Sequence, residues 1–247
     1  MLPEDQYYSS AEKFIKKKYN CIVTGRNKGY LALGLVDVIG AYETRSEYHS
    51  DVELIVVEVK TTTSSFGKSL GQSLGYSLFG ERCYLVVTFS DNENFSKEQQ
   101  YMANHLGVGL IRIPVDSIFK PKTSQIETVM NSKTHIPINS QKQYLLHAIG
   151  LTKCVSCGIY NSEVSMHQIE KSSMSKTLFT NSVIRKLYLC DQCYKGIVPE
   201  KERLKKEVQL DSAKRAARTR KYRTAARKAV QTRKEKEQLG GEVSETI

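Results

Sequence analysis

Nowhere in these 247 residues does an apolar run approach the ~20 residues that a helix needs to cross a bilayer, which argues against a membrane span. The opening Met1-Leu2-Pro3-Glu4-Asp5 has no basic segment followed by an apolar one, so a secretory signal is not expected. No internal repeat stands out. A disulfide framework is also missing: of the six cysteines, four form two C-x-x-C pairs, which suit a metal in a reducing compartment. No thioredoxin-like context surrounds those pairs, which argues against a redox role. Cys21 and Cys83 stand apart and read as buried. The expectation is a cytoplasmic protein without a membrane partner.

Excess charge is scarce over most of the chain. The formal net charge is +11, but Lys201 to Leu239 alone hold fifteen Lys and Arg against five Asp and Glu, and the first two hundred residues carry only +3. An isoelectric point near 9.3 concentrated in one segment implies a local attraction for a polyanion. The length leaves room for one or two domains with their own cores.

Leu54-Ile55-Val56-Val57 is short, continuously apolar and β-branched, the pattern of a buried strand. Glu58 and Lys60 close that run. Side chains two apart share a strand face, so these two project together while Val57 and Val59 pack on the other side. Asp37 ends a similar run, Leu31 to Val36, and antiparallel pairing of the two would set its carboxylate beside Glu58. Such a cluster is expensive to bury unless a cation and a substrate use it. The plain alternative is a solvated ion pair at a strand end, worth little.

Around it the chain reads helix, hairpin, helix, strand, helix, strand to about residue 115. Ser9 to Lys18 forms the first helix; Ser64 to Phe79 carries Leu70, Leu74 and Leu78 in one stripe. Arg82 to Thr88 and Gly107 to Ile113 are strands separated by a helix from Phe95 to Leu106, which implies a mixed sheet with helices on both faces. Residues 116 to 140 read as an irregular connector, and Gln141 to Leu151 as a short helix.

The ordered set Asp37, Glu58-Val59-Lys60, Gln72-Ser73-Leu74-Gly75-Tyr76 resembles the PD-(D/E)xK nuclease superfamily, in its RecB-like Q-x-x-x-Y branch. The resemblance covers roughly residues 9 to 115; Val36 stands where the family has its proline. It implies a restriction-endonuclease-like α/β fold and a Mg²⁺ (or Mn²⁺) ion held by Asp37 and Glu58. Lys60 would then serve the attacking water and phosphate, Gln72 would orient them, and Glu12 would supply an additional acid. Tyr76 would complete the motif, or simply pack beneath the sheet.

Cys154-Val155-Ser156-Cys157-Gly158 and Cys190-Asp191-Gln192-Cys193 let four thiolates converge on one tetrahedral Zn²⁺. The module resembles a zinc ribbon or a treble clef, according to whether a helix begins at the second pair. His167, between the pairs, is not expected as a ligand because four thiolates fill a structural site. No Gly or Pro interrupts the chain between Pro199 and Gly240, and large apolar residues are sparse there. Arg215, Arg218, Arg220, Lys221, Arg223, Arg227 and Lys228 make this segment a cationic helix, or an arm that orders on contact, suited to phosphate backbones.

The sequence reading is thus a nuclease domain at 1–150, a four-cysteine zinc module at 151–199 and a basic nucleic-acid-binding tail at 200–247. The expected activity is Mg²⁺-dependent hydrolysis of DNA, with a homodimer left open. Two alternatives stand beside it: a non-catalytic zinc-containing DNA- or RNA-binding protein on a degenerate nuclease fold, and a nuclease specific for branched DNA or RNA.

Overall fold

A computed structural model describes residues 2–30, 34–45, 50–169, 186–197, 208–226 and 228. Contacts divide the chain into two compact units, Met1–Cys193 and Tyr194–Ile247. The first is built on a mixed sheet of six strands in sequential order. These are β1 (Val23–Tyr30), β2 (Gly34–Arg45), β3 (Ser50–Lys60), β4 (Arg82–Ser90), β5 (Gly109–Val115) and β6 (Glu127–Met130). β1, β2 and β3 run antiparallel; β4 and β5 continue from β3 in parallel, and β6 returns antiparallel at the far edge.

The alternation of β3 sorts the helices. Ile55, Val57 and Val59 face α1 (Asp5–Tyr19), packed with Tyr7, Tyr8, Ala11 and Ile15. Leu54 and Val56 face α4 (Asn139–Ala148) through Leu145 and Leu146. On that same side of β4, Leu85 and Val87 meet α2 (Phe66–Gly75) and α3 (Lys97–Leu106). Every apolar side chain from Leu54 to Val59 is fully buried, which is why the run carries no polar residue before Glu58. The parallel connections each need a helix to bring the chain back, and α2 and α3 supply them.

Several boundaries differ from the sequence reading. Asp37 lies near the start of β2 instead of at the end of a strand, because Val38, Ile39 and Ala41 continue it into the core. Residues 31–33 fall outside the described residues. β1 and β6 are additional edge strands; their polar sequences have one side facing away from the core and so lack the alternation that marks β3. α3 starts with a capping box from Ser96 and Gln99, two residues later than its apolar pattern suggests.

After α4 come two small hairpins, β7 (Leu151–Lys153) with β8 (Tyr160–Ser162) and β9 (His167–Ile169) with β10 (Leu187–Leu189). α5 (Asp191–Ile197) follows β10 directly. Cys21 and Cys83 are buried free thiols. In the second unit, 208–226 is an exposed helix; among the described residues no helix is long and apolar enough to cross a membrane.

Candidate active site and metal centre

The regular β2–β3 ladder stops at Val38↔Val57. One step further, the Val59 amide donates to Asp37 Oδ2 at 2.8 Å, so a side-chain carboxylate takes the place of the next backbone acceptor. The strands part there and open a cleft of about 470 Å³ lined by Leu35, Asp37, Glu58, Gln72 and Tyr76, among others. Both acids and both residues of the Q-x-x-x-Y pattern therefore line one cleft.

Each acid is held by a tyrosine from a different layer. Tyr8 of α1 donates its hydroxyl to Asp37 Oδ1 at 2.7 Å. Tyr76, at the end of α2, donates to Glu58 Oε2 at 2.6 Å and lies 2.8 Å from the Leu35 carbonyl oxygen. Glu58 is only 3% exposed, and its other oxygen meets Lys60 Nζ at 2.8 Å. Lys60 also donates to Glu4 Oε2 at 2.9 Å. Burial works against the Lys60 ammonium, but Glu58 and Glu4 outweigh it, and its pKa lies above the ordinary value. The Asp37 carboxyl is pushed up to about 6: burial dominates, opposed by the Val59 amide, and the neighbouring Glu58 charge raises it further. Tyr76 is raised as well, by burial and by its bond to Glu58.

Glu12 is one turn beyond Tyr8 on α1, but its carboxylate accepts from Thr24 Oγ1 at 2.7 Å and pairs with Arg26 Nε at 3.0 Å. The α1 acid that reaches Lys60 is Glu4, one turn before Tyr8. Sequence reasoning missed both Glu4 and Tyr8. The available signal was their spacing of four with Glu12, which puts all three on one helix face. Gln72 is exposed where it lines the cleft, with its amide turned to no protein partner among the described residues.

The donor set fits a hard divalent cation: two carboxylates in one cleft, each oxygen holding a single protein hydrogen bond, and one acid destabilised by the other's charge.

The sulfurs of Cys154, Cys157, Cys190 and Cys193 all lie within 4.8 Å of one another. A tetrahedral Zn²⁺ with ~2.3 Å arms needs sulfur–sulfur edges of about 3.8 Å, and Cys157 and Cys190 are 3.7 Å apart. Gly158 closes the first turn at φ +78°, a left-handed value that disfavours a side chain. Burial works against ionisation of the Cys154 thiol, yet backbone amides of Cys157, Cys190 and Ser156 aimed at the sulfur bring it down to about 6. The four thiols can hold a structural metal such as zinc. A helix, α5, begins at the second pair, which is the treble-clef alternative. His167 lies outside this set and bonds Asp191 Oδ1 at 2.5 Å.

Arg215, Arg218, Arg220, Lys221 and Arg223 are all exposed on the 208–226 helix, and Lys228 beyond it is exposed too; Arg227 lies outside the described residues. At 100° per residue the five fall on every side of the helix, so none is hidden by a buried face.

No protein-family model matches the chain, and a search of curated proteins finds no match.

Proposed function

We propose that the chain is a Mg²⁺-dependent deoxyribonuclease on a restriction-endonuclease-like core of the PD-(D/E)xK type. The observation that carries this is the convergence of Asp37, Glu58, Gln72 and Tyr76 on one cleft, with Lys60 held on Glu58. Asp37 and Glu58, with the Val59 carbonyl, would hold Mg²⁺ or Mn²⁺. When bound, such a cation polarises the scissile phosphate and acidifies a water.

The chain's own groups do the rest. Lys60 presents a positive charge that neutralises the phosphate oxygens as their charge grows in the transition state. Gln72, free at the cleft wall, orients the attacking water or a phosphate oxygen. Tyr8 and Tyr76 fix the rotamers of the two acids, so both are positioning residues. Glu4 takes the α1 position in this site, while Glu12 anchors Thr24 and Arg26 of β1. The zinc module is structural, and the 208–226 helix grips phosphate backbones without reading sequence.

The decisive experiment incubates the protein with duplex, single-stranded, forked and four-way DNA and with RNA, with and without Mg²⁺. Mg²⁺-dependent cleavage is expected, falling at least ~10²-fold in Glu58→Ala and Lys60→Ala. Cleavage that persists in Asp37→Ala, Glu58→Ala or Lys60→Ala rejects these roles. Deleting residues 201–247 should weaken DNA binding and flatten its salt dependence while the truncated protein still cleaves at saturating DNA.

A further inference from the structure

Ser10, Lys13, Phe14, Lys17 and Lys18 recur at helical spacing, so they share one flank of α1. Across from them lie Thr123, Ser124, Ile126 and the β6 residues Glu127 and Thr128, and the two sides bound a groove of about 590 Å³. It shares no lining residue with the Asp37–Glu58 cleft.

Three ammonium groups line this groove with little to neutralise them. Lys13 and Lys17 are exposed and have no ion-pair partner among the described residues. Four residues apart on a helix, they repel each other. Lys18 Nζ donates to Thr128 Oγ1 at 2.5 Å and to Asn131 Oδ1 at 3.0 Å, both uncharged, so its charge is held but not cancelled. Partial burial pushes its pKa below the ordinary lysine value, the direction expected where no carboxylate offsets desolvation. The one carboxylate in the described lining, Glu127, pairs with Arg112 Nη1 at 3.3 Å. A helix C-terminus favours lysines in its last turn, which accounts for Lys17 and Lys18 but not for Lys13, one turn earlier.

The first two hundred residues carry only +3 net, yet this groove gathers three of their lysines opposite the exposed Thr123 and Ser124. Nucleic-acid backbones are held by this mixture of Lys with Ser and Thr. From Ser10 to Lys18 the flank is ~12 Å long, and phosphates of one strand recur every ~3.4 Å of duplex axis, so several come within reach at once. No arginine is among the described lining residues, which suits point contacts along a backbone better than forked pairing with a carboxylate.

We infer that the α1–β6 groove is a DNA-backbone contact on the nuclease domain itself, in addition to the cleft and the basic tail. The inference rests on the nucleic-acid reading above and deepens it. Lys13 and Lys17 stand ~8 and ~14 Å further along α1 than Tyr8 and on its opposite flank, so they meet phosphates other than the scissile one.

The test uses the full-length, zinc-loaded protein carrying Asp37→Asn, so that binding is read without cleavage. Fluorescence anisotropy follows a twenty-four-base-pair duplex from about 50 to 200 mM salt. Lys13→Gln with Lys17→Gln should weaken binding at least tenfold near 100 mM salt and lower the slope of log K against log salt by about 1.8, at ~0.9 per lost phosphate contact. Either substitution alone should give about half that change. Lys97→Gln with Lys133→Gln removes the same charge from exposed positions outside the groove and should move the slope less than half as far.

An unchanged slope, or an equal change in the control pair, overturns the inference. So does dependence on Lys13 and Lys17 for binding polyglutamate or phosphatidylserine vesicles but not DNA, which would assign the groove to an acidic protein or a membrane. The nuclease reading fails separately, when the unsubstituted protein holds DNA in this manner but shows no Mg²⁺-dependent cleavage.

Discussion

Asp37 and Glu58 stand on strands of twelve and eleven residues inside a six-stranded sheet. Cys154 and Cys190 follow strands of three residues each. Both places gather groups fit for a cation, but they reach that state by different means. In the cleft, the acids are already supported by Tyr8, Tyr76, Lys60 and the Val59 amide, and fully buried apolar side chains fix the backbone beneath them. In the cysteine module, the thiols have chiefly one another and a few backbone amides, on hairpins whose strands are only three residues long. A cation bound at the cleft would add to a backbone the core already holds, and its loss would cost some stability without unfolding the sheet. A cation at the cysteines contributes to folding itself.

The largest expected effect comes from keeping metal from the four cysteines, since structural zinc sites have apparent binding free energies on the order of 10 kcal/mol or more. The protein should contain one zinc per chain, lost in Cys190→Ser or with a strong chelator. Hydrogen exchange should then show β7–β10 unprotected while β2 to β5 keep their protection. Loss of protection across the sheet as well would mean that the two regions fold as one, and the contrast drawn above would fail.

A smaller effect sharpens the other half. Tyr76→Phe removes the hydroxyl bonded to Glu58 Oε2, stranding a buried carboxylate oxygen, and should destabilise by about 1–3 kcal/mol. Added Mg²⁺ should restore part of that loss by taking up the stranded oxygen, whereas zinc should not be released. Thermal melts with and without Mg²⁺ measure this, and a Phe variant as stable as the parent would show that Tyr76 merely packs.

Much of the sheet was legible because its centre is buried on both faces. The run from Leu54 to Val57 has no alternative to a core strand, and Glu58 with Lys60 stands out against it. The C-x-x-C pairs were equally plain, since covalent spacing alone sets two sulfurs side by side. The edges were not legible. β1 reads Val-Thr-Gly-Arg-Asn-Lys-Gly-Tyr, with no alternation, because it pairs with β2 on one side only and includes a positive-φ residue at Asn27. In the site, the family resemblance points to Glu12, an acid inside the N-terminal helical stretch Ser9 to Lys18. Glu4, at the N-cap of α1, precedes that pattern, and only the docking of α1 on the sheet decides which acid meets Lys60. Tertiary placement of a helix end is not written in local periodicity.

The finest test of the cleft is a substitution that should help the fold. Asp37 has its folded pKa raised to about 6, chiefly by burial, against about 3.9 in an unfolded chain. The folded state therefore holds the proton more tightly. The associated stability is full below the unfolded pKa, declines as pH rises, and is lost once pH passes through 6. Ionised Asp37 is then a net burden on the fold in the absence of a cation. Asp37→Asn keeps an acceptor for the Val59 amide and a partner for Tyr8 but carries no charge. After allowance for solvent screening, it should stabilise the protein by about 1–2 kcal/mol at pH 7.5 without added Mg²⁺. That advantage should shrink by roughly half at pH 5, where the folded wild-type carboxyl is mostly protonated. Urea unfolding at the two pH values reads both numbers. A variant that is less stable than wild type at pH 7.5 would mean that Asp37 is held for structure, and the case for a cation in the cleft would lose its electrostatic basis.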